Sequence, residues 1–196
     1  MRYGAGHRAA TRQRIVASAA RRFRLESYEA ASLAEIMQDA GLTVGGFYAH
    51  FASKEELFAE AITFAGEEAL AARSDIAAGS ASWLSAFVAN YLNQEHREDR
   101  AGGCPLAALG ADVARAGVLP QASYRDSARY FAATLADHID GPEAQRRQLA
   151  QAVTAMCVGA LTLARAGLDP PSADALFDAC ARAAEALVRA TEGHAG

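Results

Sequence analysis

The chain has 196 residues, of which 52% are apolar and 8% aromatic. That is enough for one or two domains with a real core, and too apolar for the disordered class. The net charge of −4 argues mildly against a nucleic-acid binder, but it hides an asymmetry: residues 1–54 carry eight Lys and Arg against four Asp and Glu, and residues 55–196 carry eleven against nineteen. A basic head on an acidic body suits a head that meets phosphate. Met1 to Thr11 is polar and basic with no apolar stretch behind it, which excludes a visible secretory signal. The longest apolar run, Ala152 to Ala164, is too short to span a bilayer and reads as a buried helix, so no membrane is expected. Cys104, Cys157 and Cys180 are odd in number and lack metal-ligand spacing, which speaks against a disulfide framework and for a reducing cytoplasm. His7, His50, His96, His138 and His194 are scattered. With no Glu-x-x-His pair, nucleophile–base spacing or phosphate loop, neither an enzyme nor a metal or cofactor site is expected.

Helical elements are predicted in chain order. Alanine is abundant, proline scarce and β-branched runs absent. From Thr11 to Leu25, Ile15, Ala19 and Phe23 recur at helical spacing with Val16 and Ala20 beside them, surrounded by Arg12, Arg14, Arg21, Arg22 and Arg24. Ser32 and Glu35 form a capping box that starts a second helix through Leu33, Ile36, Met37 and Ala40, and Gly41 stops it. Thr43 is placed to cap a third helix running to His50 or Phe51. Ser53 and Glu56 form a second capping box, opening a helix toward Arg73. Five more helices are predicted, over 82–97, 105–115, 121–140, 143–166 and 172–191, separated by glycine- and proline-containing breaks. No strand pattern is present.

Two short capped helices joined by a turn at Gly41 match a helix-turn-helix, whose second helix lies in the major groove of DNA. Leu42, Phe47 and Phe51 would bury that helix against Ile36 and Phe23, leaving Thr43, Val44, Gly45, Gly46, Tyr48 and His50 on the other side. Each glycine inside a helix costs about 1 kcal/mol relative to alanine. The Gly45-Gly46 pair is therefore a local conflict, relieved if another surface approaches the backbone closely.

The stretch from Ser32 to Phe58, SLAEIMQDAGLTVGGFYAHFASKEELF, closely resembles the N-terminal domain of TetR-family regulators, and Thr11-Arg12…Ile15…Ala19…Phe23 resembles that family's first helix. The resemblance covers about residues 8–60; beyond it, only chain size, helical pattern and a GCPLAALGADVAR stretch are similar. Ser27 departs from it, standing where the family often has glycine. The resemblance implies an all-α fold: a three-helix DNA-binding domain over residues 1–52, and a helical bundle over 53–196 for ligand binding and dimerisation. It also implies phosphate or groove-edge contacts for Ser32, Thr43, Tyr48, His50 and Lys54, and base approach at Val44, Gly45 and Gly46. Between Thr43 and Phe51 there is no Arg, Asn or Gln, so bidentate base reading is not expected there; Val44 contacts with thymine methyls, close backbone fit and DNA shape would carry specificity. Arg2 and Arg8 are candidates for minor-groove contacts from an N-terminal arm.

The resemblance implies a homodimer joined through the last two long helices. Ala152, Ala155 and Gly159, with Ala160, and Ala179, Ala183 and Ala186, with Ala190, are small residues that permit close helix approach, though an intramolecular core would also want them. Trp83, Phe87, Tyr91, Cys104, Tyr124, Phe131 and Met156, with Tyr130, are candidate pocket residues; no charged anchor stands out, so a lipophilic or aromatic small-molecule effector is expected. Cys104, between Gly102-Gly103 and Pro105, sits at a predicted helix start, an environment that favours thiolate chemistry. The leading expectation is a ligand-responsive repressor that binds a near-palindromic site in double-stranded DNA. The alternatives are an oxidant- or electrophile-sensing regulator acting through Cys104, or a DNA-binding protein controlled by a protein partner.

Overall fold

A computed structural model describes residues 5–80 and 82–192. Among these residues the chain is helical throughout, with no strand: α1 (Ala5–Glu26), α2 (Leu33–Asp39), a 3-10 helix (Val44–Ala49), α3 (Lys54–Ala77), α4 (Trp83–Tyr91), α5 (Gln94–Glu98), α6 (Pro105–Arg115), α7 (Val118–Ala136), α8 (Glu143–Ala166) and α9 (Pro170–Glu192).

The local signals act as their chemistry requires. Ser32 Oγ accepts from the Glu35 N–H at 3.1 Å and donates to the Glu35 carboxylate at 2.9 Å, starting α2. Gly41, at φ +69, ends it: its N–H donates to Gln38 O and that of Leu42 to Met37 O, the paired bonds of a left-handed helix stop. Ser53 Oγ accepts from the Glu56 N–H at 3.0 Å to start α3. Ser27 is the described non-glycine residue with positive φ, at +88, which is the backbone state glycine adopts without cost.

Two apolar cores lie along the chain. The head core joins Ile15, Ala19 and Phe23 of α1, Ile36 and Met37 of α2, Phe47, Phe51, and Leu57, Phe58 and Ile62 of α3; Leu109 and Val113 of α6 complete it. The body core gathers Phe87, Tyr91, Phe131, Leu135, Val153, Cys157, Leu161 and Phe177, with Leu70 and Ala77 of α3. Thus α3 runs through both cores and α6 bridges them, with Leu106 in one and Leu109 in the other.

The structure corrects several sequence expectations. The third element is a short 3-10 helix rather than α, and Thr43 gives it no side-chain cap. Two glycines and a missing cap leave too little helix propensity for an α-helix. The helix expected over 82–97 is two, because Asn93 Oδ1 accepts from the His96 N–H at 2.8 Å and restarts the chain as α5. The first helix begins at Ala5, so Arg8 is helical and donates to Ala49 O at 2.7 Å instead of lying on an extended arm. Arg2 and the side chain of Ala190 lie outside the described residues.

Candidate functional site

The 3-10 helix presents two faces. Phe47 and Phe51 stack 5.6 Å apart in the head core, 1% and 2% exposed. On the other face Val44 is 50% exposed and Tyr48 74%, beside exposed Thr43 and Gly45 and half-buried Gly46. A Cβ built on Gly45 would meet nothing within 4 Å, and one on Gly46 only Met37 Cε at 3.9 Å. Neither glycine is imposed by packing within the chain or by positive φ. A protein surface that lacks side chains without an internal reason is open for close approach from outside.

The expected phosphate contacts surround this surface but differ in freedom. Lys54 opens α3, its ammonium 4.8 Å above the Tyr28 ring and 3.5 Å from Glu29 O; burial lowers its pKa. The Ser32 hydroxyl proton is already held by Glu35. His50 closes the 3-10 helix, and its carbonyl accepts from Arg12. Its ring Nδ1 is buried without a partner, and desolvation, then Arg8 and Arg12, lower its pKa.

Most of the arginines expected to make the head basic are engaged within the protein. Arg12 packs over the Phe51 ring and bonds Glu56, Glu60 and His50 O. Arg22 pairs with Asp39 and Glu26, each at 2.7 Å, and Arg14 donates to Ala40 O. Arg24 is 7% exposed and donates to Gly103 O at 2.8 Å, tying α1 to the segment before α6. The charge count of residues 1–54 therefore overstates the free positive charge of the head.

In the body, Tyr91, Cys104 and Phe131 come together around a small, partly enclosed cavity of about 10 Å3 that Gly66, Ala69, Leu70, Arg73, Leu106 and Ser127 also line. Trp83, Phe87 and Met156 pack in the same core but do not line it: Trp83 stacks on Phe87 at 4.9 Å and on His138 at 3.6 Å. Tyr124 is a strap, its hydroxyl donating to Leu106 O at 2.7 Å. Tyr130 is 57% exposed and points away from any such role. Cys104 precedes α6, and its N–H donates to His96 Nε2 at 3.0 Å while His96 Nδ1 contacts Tyr91 O. These bonds require the neutral Nδ1–H form of the imidazole.

The sequence reading missed the charges at this place. Arg73, Arg24 and Arg165 are all largely withdrawn from solvent around the segment 96–104, and burial lowers the pKa of each. A signal existed: Arg73 follows Leu70 and precedes Ala77 on the buried stripe of α3, and Arg24 follows Ala20 on that of α1.

The last two helices leave their small residues uncovered. Ala152, Ala155, Ala179, Ala183 and Ala186 are exposed and Gly159 is half-buried, while Ala160 belongs to the body core. By length and composition α8 is apolar enough to cross a bilayer, yet 33% of its most apolar window is buried, against α7 and α9.

Residues 15–61 match the model of the tetR family of bacterial regulatory proteins. An uncharacterized HTH-type transcriptional regulator of Mycobacterium tuberculosis is 30% identical over 172 residues, covering 81% of this chain and 86% of the relative. A second, YxaF of Bacillus subtilis, is 28% identical over 108 residues, 53% of this chain and 56% of its own. Among solved structures, a TetR-family transcriptional regulator from Cytophaga hutchinsonii superposes with a TM-score of 0.77 at 18% identity, covering 92% of this chain and 96% of that one. The reduced form of Escherichia coli NemR superposes with a TM-score of 0.72 at 17% identity, covering 90% and 96%. At such identities the structural likeness concerns the fold alone.

Proposed function

The chain belongs to the TetR family of bacterial regulatory proteins, and from that premise we propose that it is a cytoplasmic, ligand-responsive repressor, acting as a homodimer on a near-palindromic operator. In this reading residues 1–52 read DNA and residues 53–196 respond to a small effector with a lipophilic body and dimerise, α3 being common to both cores. It is a regulator and not an enzyme.

The observation that carries the DNA-reading role is the internally unexplained glycine pair. A Cβ meets no obstacle at Gly45 and only an ordinary contact at Gly46 in the free protein, which supports a surface that arrives later as the reason for glycine. A duplex seated on Thr43, Val44, Gly45 and Tyr48 supplies that surface, with Ser32, Gly46, His50 and Lys54 at its margins. Two-fold symmetry through Ala152, Ala155 and Gly159 of α8 and Ala179, Ala183 and Ala186 of α9 would set two such surfaces about 34–36 Å apart. Response to a ligand is supported by α6. Its first residues border the body cavity, and Leu109 and Val113, one and two turns on, pack in the head core. A shift of α6 on effector binding would thus change how the heads are held.

Gly45→Leu and Gly46→Leu test the reading. Each should lower operator affinity at least about a hundredfold in gel shift, which corresponds to about 2.7 kcal/mol, with little change in thermal unfolding of the free protein. Parental affinity in both variants would end it.

A thiol-responsive reading through Cys104 ranks second. The thiol stands at the start of α6 amid buried guanidiniums, but at 3% exposure it is poorly placed to meet an oxidant. Its mark would be a loss of DNA binding under mild oxidation that Cys104→Ser abolishes.

A further inference from the structure

Three guanidiniums converge on the segment 96–104, Arg24 of α1 buried and Arg73 and Arg165 partly buried, with no carboxylate within 4 Å. Arg24 donates to Ala20 O and Gly103 O, Arg165 to Arg97 O, His96 O and Asp99 O, and Arg73 to Ala69 O. Carbonyl oxygens satisfy donors without forming an ion pair, and Glu68, Glu95 and Asp99 offset these charges only from a distance, so withdrawing them from water remains costly. His96, in their midst, is held neutral, its pKa pushed down to about 3 by burial and then by Arg73.

Within this positive region two polar atoms are buried without a partner: Arg73 Nε and the Tyr91 hydroxyl. Native interiors seldom leave such donors unpaired. Tyr91 is fully buried, and its hydroxyl faces the Cys104 thiol without making a hydrogen bond of normal geometry. Both residues line the same small cavity, whose other walls are mostly apolar, Leu70, Leu106 and Phe131 among them, with Ser127 as a further polar group. The outer side of Arg73 is different. There a cleft of about 210 Å3 is bordered by Glu68, Glu95 and Asp99, which repel an anion.

Building on the ligand-responsive reading, we propose that the effector is a small organic acid, an apolar body carrying a carboxylate or phenolate, whose anionic oxygens are bound by Arg73 and the Tyr91 hydroxyl on the inner side of α3. An anionic acceptor satisfies both orphan donors and compensates the guanidinium charge in one step. The apolar walls take the body of the ligand. The cavity, at about 10 Å3, holds no more than a water, so a ligand enters by parting α7 from α3, which meet closely where a Cβ on Gly66 would come within 3.1 Å of Ser127 Oγ.

The test uses the full chain with sodium benzoate as the acid and benzamide as its neutral isostere, near pH 7.5, read by thermal unfolding and by titration of intrinsic fluorescence. Benzoate at a hundredfold excess over its Kd should raise Tm by about 5 °C or more, and benzamide should not. Arg73→Met should abolish the benzoate shift, and Tyr91→Phe should weaken benzoate binding at least about tenfold while leaving the Tm of the free protein at or above the parent's. The proposal is overturned by equal shifts with the two compounds, by no shift with benzoate, by an unchanged Kd in Tyr91→Phe, or by a fall in the Tm of ligand-free Tyr91→Phe, which would mark the hydroxyl as paired to a resident water. None of these measurements contains DNA, so their failure leaves the repressor reading standing. If benzoate binds as expected but operator affinity is unchanged at saturation, the site holds and the ligand-responsive reading fails instead.

Discussion

The head and the segment 96–104 of the body satisfy arginine in different ways. In the head, Arg12 and Arg22 meet carboxylates directly, and the interior behind them is aromatic: Phe23 sits edge-on to Phe58 at 4.9 Å, and Phe47 stacks on Phe51. Around segment 96–104, Arg24 of α1, Arg73 of α3 and Arg165 of α8 rest on carbonyl oxygens, and two polar atoms beside them have no partner. The first arrangement neutralises its charges locally. The second is costly as it stands, and becomes favourable only when something is added or moved. Under the proposed function, the second arrangement is the one that a bound effector would complete.

The comparison can be broken from either side. The largest effect is expected in the head. Phe47→Ala removes a fully enclosed ring and should destabilise the protein by about 3–5 kcal/mol, with loss of operator binding as a consequence; a small change in denaturant midpoint would mean that the head core is looser than its packing indicates. The next effect belongs to the body. His96 is held neutral in the folded state down to about pH 3, whereas the unfolded chain takes up its proton near the ordinary pKa of 6.5. Stability present above pH 6.5 is therefore lost as pH falls toward 3, by up to about 1.4 kcal/mol per pH unit. Chemical denaturation between pH 7 and 4 should show this slope, and His96→Gln should flatten it; an equal slope in the variant would assign the acid sensitivity elsewhere. The smallest effect returns to the head. Ser27→Gly relieves a left-handed backbone, at φ +88, and should stabilise by about 1 kcal/mol, seen as a rise of a few degrees in Tm. A fall instead would show that the 3.4 Å bond from the Ala30 N–H to Ser27 Oγ matters more than the strain.

Legibility in the sequence followed the range of the interaction. Ser32, Gly41 and Ser53 act within four residues of themselves, and each marks a helix end where the pattern puts it. Phe47 and Phe51, one helical turn apart, signal a buried face whether the turn is α or 3-10. Asn93 did not stand out, because an asparagine inside a periodic stretch looks the same before and after it becomes a cap. The arginines were misread for a different reason. Arginine on a helix next to an apolar stripe reads as solvated charge, and only the folded chain reveals that Arg24 finds its acceptor 79 residues away at Gly103. The cavity was underestimated in a similar way: its aromatic members Tyr91 and Phe131 were visible, while Arg73 marked only the far end of a predicted helix and no charged anchor stood out.

That long-range bond from Arg24, together with Leu109 and Val113 in the head core, bears on how the molecule is made. A nascent chain that has released its first 52 residues holds the whole helix-turn-helix but lacks the carbonyl that receives Arg24 and the side chains that close its core. The core of the head can close only after α6 has emerged. By the same token, a fragment cut after residue 52 should melt without the cooperativity of the full chain, and grafting that segment onto another body would transfer the sequence of the reader without its foundation.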